Sequence, residues 1–218
     1  MSYLSSIWSF ALVVGLLTII PGLDTAIIVR TSVLGNYRRA WGVVLGIQSG
    51  TLFWGTCTSL GITALLTASQ VAYNVVRWAG AAYLLWMGFC MLRDSIRKPR
   101  EAAESTETSE AGDVPNEAGG LLAGWRRGTL TNVLNPKVGV FYVAMLPQFI
   151  PSSAPHLPMG LLLTCVHVVL GTAWSAMLVI FARSARRWIQ SAVARRLLDR
   201  VTGVVILGFG VVVALSDS

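Results

Sequence analysis

Asp24 stands inside a long apolar stretch, directly after the helix breaker Pro21-Gly22. A second apolar stretch carries a matching interruption, Asn135-Pro136, with Lys137 next in the chain. A charge in hydrocarbon costs roughly 2.5–3.5 kcal/mol on insertion scales, so such residues usually face a cavity or a partner. A proline inside a helix removes a backbone hydrogen bond and clashes with the preceding turn. In lipid such a break survives where protein or cavity water satisfies the freed carbonyls. The opened backbone can then contact a polar solute, and the half-helix that follows presents amide donors suited to a carboxylate. The same reasoning applies after Asn135-Pro136. Asp24 and Lys137 add two alternatives. They suit a buried ion pair, each lowering the desolvation penalty of the other. Equally, Asp24 suits proton uptake and release, because burial favours the neutral carboxyl and a nearby cation favours the carboxylate. A pair that forms in one conformation and opens in another would couple a proton to a solute, whereas a static pair would only brace the break.

Six apolar segments must position these residues: roughly 7–29, 41–67, 71–92, 128–150, 157–181 and 201–216. Each is long enough to cross a hydrocarbon core of about 30 Å at about 1.5 Å per residue. The chain is 54% hydrophobic and 12% charged, against roughly 25% charged in soluble domains. Most of it therefore belongs in lipid. The first segment has no basic residue before it and no small-x-small site after it, which argues against a cleaved signal.

The net charge of +7 would suit nucleic acid, but its distribution does not. Arg30, Arg38 and Arg39 lie between segments one and two. Arg93, Arg97, Lys98, Arg100, Arg126 and Arg127 lie between three and four, and Arg183, Arg186, Arg187, Arg195, Arg196 and Arg200 between five and six. The other connections and both ends carry none. Such alternation places the basic loops in the cytoplasm and both termini outside.

Residues 1–92 and 128–218 read as two three-helix halves joined by a hydrophilic cytoplasmic linker, 93–127, whose acidic Ser/Thr/Ala/Gly-rich part has little to bury. Basic and apolar residues interleave over 183–200 with helical spacing, which predicts an interfacial helix. Thr18, Pro21, Gly22 and Thr25 recur as Asn132, Asn135, Pro136 and Gly139, each displaced by 114 residues. Arg77-x-x-Gly80 and Arg200-x-x-Gly203 echo one another as well. Three segments per half put the halves in opposite orientations. The expectation is an all-α integral membrane protein of six helices in two inverted repeats, with helices one and four broken.

Polar residues on the same segments are candidates to line a path: Thr18, Gln48 and Asn132, with Ser49 beside Gln48. Arg77, near the outer face, either snorkels to the interface or guards an outer mouth. Gly42, Gly46 and Gly50 repeat every four residues, a spacing that lets helix backbones approach within the bundle or across a homodimer. Cys57, Cys90 and Cys165 are unpaired in sequence and read as small membrane-buried residues rather than a redox or metal site. His156 and His167 are not at close metal-ligand spacing, and packing roles are expected for both. Trp8, Trp41, Tyr73 and Tyr142 read as interfacial or packing aromatics. No nucleophile with a base is apparent, so no enzyme, cofactor or metal centre is expected. An exporter of divalent cations would want several carboxylates or thiols together within the segments, and Asp24 is the one carboxylate there. A membrane assembly protein would not need matched broken helices.

Along nearly its full length the chain resembles the lysine exporter (LysE/RhtB) family of amino-acid exporters. The resemblance is carried by Pro21-Gly22-Leu23-Asp24, by Gly80-Ala81-Ala82-Tyr83-Leu84-Leu85-Trp86-Met87-Gly88, and by Asn135-Pro136-Lys137 with Leu146-Pro147-Gln148-Phe149 downstream. It implies a multi-pass protein of the bacterial inner membrane that exports amino acids or close derivatives, driven by the proton motive force. In the first motif Leu23 stands where the family usually has a second proline, which predicts a gentler break. Pro21, Gly22, Asp24, Asn135, Pro136 and Lys137 are thus the expected central site, with an amino acid, protons and the bilayer as partners.

Overall fold

The computed structural model describes residues 3–34, 36–69, 120–151 and 153–182, with scattered positions in 71–93 and 197–211. All regular structure among them is helical. In chain order it comprises α1 (Tyr3–Ile19), α2 (Leu23–Val33), α3 (Tyr37–Ala68), α4 (Leu121–Val133), α5 (Pro136–Met145), a 3-10 turn (Leu146–Phe149) and α6 (His156–Ile180). Half of expected segment 71–92 and most of 201–216 fall outside the described residues. Arg77 and positions 94–119 and 183–196 fall wholly outside them.

Helix α6 is long and apolar enough to cross a membrane, and the bent α1–α2 pair meets the same test as one broken span. The bend between them is 54°, produced at Pro21-Gly22 even with leucine at position 23. Gly22 is extended there (φ −140°, ψ −166°), so α2 begins a new hydrogen-bond ladder rather than continuing that of α1. The second break follows the same logic with different chemistry. Pro136 occupies the first turn of α5, where its missing N–H costs nothing and its fixed φ suits a helix start.

Helix α4 starts at Leu121, seven residues before the expected segment at 128. Arg126 and Arg127 are therefore inside a helix, not in a loop. The charges of Arg39 and Arg30 both act on Arg127, which marks a common basic end for α2, α3 and α4. Helix α2 has 11 residues and α4 has 13, so each break lies about 16–20 Å from the basic end.

Interlocked glycines join α3 and α4 side by side and parallel. A Cβ at Gly42 or Gly46 would strike the carbonyl oxygens of Leu121 or Trp125, and one at Gly124 or Gly128 those of Arg39 or Val43. The glycine stripe of α3 thus packs within the bundle. Helix α6 runs antiparallel along α3: Gly160 meets Ser59, Gly55 meets Thr164 and Gly171 meets Gln48. Beyond these helices, Gly88 and Gly203 also approach closely, each placing a would-be Cβ 3.0 Å from the other's carbonyl oxygen.

Two apolar cores result. One gathers Phe10, Phe141, Tyr142, Leu146, Phe149 and Leu163 on the side away from the basic end. The other gathers Ile28, Val43, Val44, Ile47, Leu178 and Val179 towards it. Cys57 and Cys165 are both exposed on the outside of the bundle.

Candidate functional site

A cavity of about 80 Å³ opens where both breaks meet α3 and α6, and residues of both apolar cores contribute to its wall. About 10–15 Å³ suffices for one water molecule, so this space accepts a small polar solute. Thr18, Gly22, Asp24, Gln48, Asn132, Asn135 and Lys137 all line it. Residues more than a hundred positions apart are thereby brought to one place. Pro21 and Pro136 do not line the cavity; they make the breaks that open it. Ser49 turns away, bonding Leu45 O and accepting from Trp125 Nε1.

Asp24 sits in the first turn of α2, where the helix dipole favours a negative group. Asn132, in the last turn of α4, donates from Nδ2 to Asp24 Oδ2 at 2.8 Å. The second carboxylate oxygen, Asp24 Oδ1, and the amide oxygen, Asn132 Oδ1, are both buried without a hydrogen-bond partner. Asn135 stands beside the same carboxylate, and the charge of Lys137 acts on it. Lys137 Nζ also reaches the first break, 4.0 Å from where a Gly22 Cβ would stand. Among the described residues, Asp24 and Lys137 are the only charged ones in the lining.

The breaks differ in one respect that their similar sequences did not reveal. Asn135 caps its own helix: its Oδ1 accepts from Lys137 N at 3.1 Å, and its carbonyl accepts from Val138 N and Gly139 N. The start of α5 is thus internally satisfied, contrary to the expectation that it offers free amide donors. At α2 the N-cap is Gly22, and no side chain caps the helix. The two starts are unequal, with α2 the open one.

Helix α6, which reads in sequence as a plain apolar span, supplies His167, Gly171, Trp174 and Ser175 to the wall. Their spacing of four, seven and eight residues from His167 marks a polar stripe on one helix face, a signal available in the sequence. Trp174 Nε1 is buried with no acceptor, a state that costs about 1–3 kcal/mol. His167 is more than a packing residue, because it borders the cavity. Its Nδ1 lies 2.9 Å from the hydroxyl of Tyr142, and the two rings stack at 14°. Tyr142 is fully buried on α5, so the pair ties the second broken span to α6.

A family model for LysE type translocators matches residues 10–217. The chain belongs to that family. Among its relatives, the uncharacterized membrane protein YrhP of Bacillus subtilis is 23% identical over 97% of this chain and 99% of its own. An uncharacterized membrane protein of Vibrio cholerae is 29% identical over 97% of this chain and 98% of its own. The homoserine/homoserine lactone efflux protein of Salmonella typhi is 28% identical over 95% of this chain and 96% of its own. No solved structure matches the chain. As a translocator of this family, the protein is a helical membrane protein, and the efflux names of its relatives point to an exporter rather than an enzyme.

Proposed function

We propose that this translocator exports small amino acids or close derivatives across the bacterial cytoplasmic membrane by proton antiport at the Asp24 cavity. The reading is carried by Asp24, a carboxylate in the cavity lining whose Oδ1 is buried without a hydrogen-bond partner. A charged acceptor on a residue of the lining suits the donors of an α-ammonium group. The cation of Lys137, beside the uncapped start of α2, suits the α-carboxylate. The homoserine/homoserine lactone efflux relatives favour the same solute class.

Coupling then follows from competition. Asp24 binds either the ammonium of the solute or a proton, and not both. Outward passage with solute on the carboxylate, and return with the carboxyl protonated, exchanges one for the other. In this reading six helices form two inverted halves about the cavity, with the basic loops cytoplasmic and both termini outside. Asp24→Asn keeps an oxygen for Asn132 Nδ2 but cannot exchange a proton. In proteoliposomes that variant should lose efflux driven by a pH gradient while keeping expression and thermal stability. Full gradient-driven efflux by Asp24→Asn would exclude the proton-carrier role.

A further inference from the structure

We infer that the solute leaves between α1, α3 and α6 on the side away from the basic end, along a polar route that is shut in this structure. The inference rests on the export reading above and adds the way from the cavity to the outer face. Outside the cavity wall, the buried side-chain atoms without a hydrogen-bond partner among the described residues are Ser6 Oγ, Trp54 Nε1, Thr58 Oγ1, Thr129 Oγ1 and His156 Nδ1. All but that of Thr129 lie on the side away from the basic end. On α3, Trp54 and Thr58 stand about 9 and 15 Å beyond Gln48, and on α6 His156 stands about 22 Å beyond Gly171. Ser6 is near the start of α1, whose Phe10 belongs to the apolar core on that side.

Most helix hydroxyls in the bundle are satisfied locally. Thr18, Ser32, Ser49, Ser59 and Thr164 each donate to the carbonyl four residues back. Ser6 Oγ and Thr58 Oγ1 have no such partner, although the residues are only 1% and 6% exposed. An unpaired buried polar atom costs free energy for as long as it is kept dry. A one-sided set of them, drawn from three helices, has one common remedy, which is the opening of that side to water. The same atoms then line a wet passage. In the closed arrangement, Phe10, Phe141 and Phe149 fill that side, and the Tyr142–His167 bond ties α5 to α6 at the cavity's edge. Helices α3 and α6 meet there through Gly55, Ser59, Gly160 and Thr164, side chains too small to fill a gap once the helices part. The cost carried by the closed state is relieved on opening, which brings the two states closer in free energy.

The test uses the full-length protein in proteoliposomes with a mixture of labelled amino acids, homoserine among them. Thr58→Val keeps the side-chain shape and removes the hydroxyl. It should raise the unfolding temperature, because a dry polar atom is gone, and slow efflux about tenfold, because the opened state loses a hydrated group. Ser6→Ala should act in the same two directions. A hydroxyl that merely anchors a fixed water would lower stability instead, so a lower unfolding temperature in Thr58→Val overturns the inference. A second arm keeps one cysteine at a time, with the others replaced by alanine. Thr58→Cys should react with a charged, membrane-impermeant thiol reagent added outside during efflux and not at rest. Cys57, exposed on the outside of the bundle, should stay unreactive in both conditions, since a thiol in lipid forms no thiolate. Unchanged efflux in Thr58→Val, or no labelling of Thr58→Cys while efflux runs, overturns the route and leaves export standing. Failure of the wild type to move any labelled amino acid overturns the export reading itself. Should the cysteine-replaced protein be inactive, the valine and alanine variants decide alone.

Discussion

Gly50→Ala should disable the site. A Cβ at Gly50 would lie 2.5 Å from Asn132 Oδ1, 2.9 Å from its Cβ and 3.0 Å from its Cγ. Carbon atoms rest at about 3.5–4.0 Å, so the Asn132 side chain must withdraw by about 0.5–1 Å. Its bond to Asp24 Oδ2 is 2.8 Å long, and that shift carries it beyond the usual limit of about 3.2 Å. A hydrogen bond to a charged group is worth about 1.5–3 kcal/mol, which corresponds to roughly a tenfold to hundredfold loss. Initial rates of efflux from proteoliposomes read that loss, and thermal unfolding in detergent reads the fold. Two other glycines provide the contrast. At Gly46 the added Cβ meets backbone instead, with Thr129 N at 2.7 Å and Trp125 C at 2.9 Å, so α3 and α4 must part and stability falls by about 1–3 kcal/mol. At Gly15 nothing lies within 4 Å, and alanine should change neither measurement. Wild-type efflux by Gly50→Ala would show that the Asn132–Asp24 contact does not matter, and the reasoning from packing to transport would fail.

Asn135→Ala removes the acceptor that caps α5 and should lower stability by about 0.5–2 kcal/mol; thermal or denaturant unfolding checks this. Tyr142→Phe removes the hydroxyl beside His167 Nδ1 at constant ring volume and should cost about 0.5–1.5 kcal/mol, again read by unfolding. Because His167 borders the cavity, the same variant should also slow efflux, and an unchanged rate would leave the pair a purely structural tie. Asp24→Asn separates these packing effects from coupling, since only gradient-driven movement should disappear while the fold persists.

Much of the architecture was legible because its causes are local. A proline cannot donate its backbone nitrogen wherever it sits, so Pro21-Gly22 and Asn135-Pro136 announce breaks without knowledge of their surroundings. Uninterrupted apolar residues marked α3 and α6 nearly to their ends, 37–68 and 156–180 against an expected 41–67 and 157–181. The start of α4 was misread because hydropathy averages around a helix. Arg126 and Arg127 lower that average, yet Gly124 and Gly128 on the same helix lie directly against α3.

The sequence by itself determined the apolar spans, the two breaks, the glycine spacing and the charge placed next to each break. Tertiary structure decided what those features meet. It paired the glycines of α3 with α4, brought Asn132 to Asp24 across 108 positions, and added the polar stripe of α6 to the wall. It also made the breaks unequal, because whether an asparagine reaches its own helix start depends on backbone angles as well as residue identity. Local chemistry dictates where a chain must open; only packing dictates what closes around the opening.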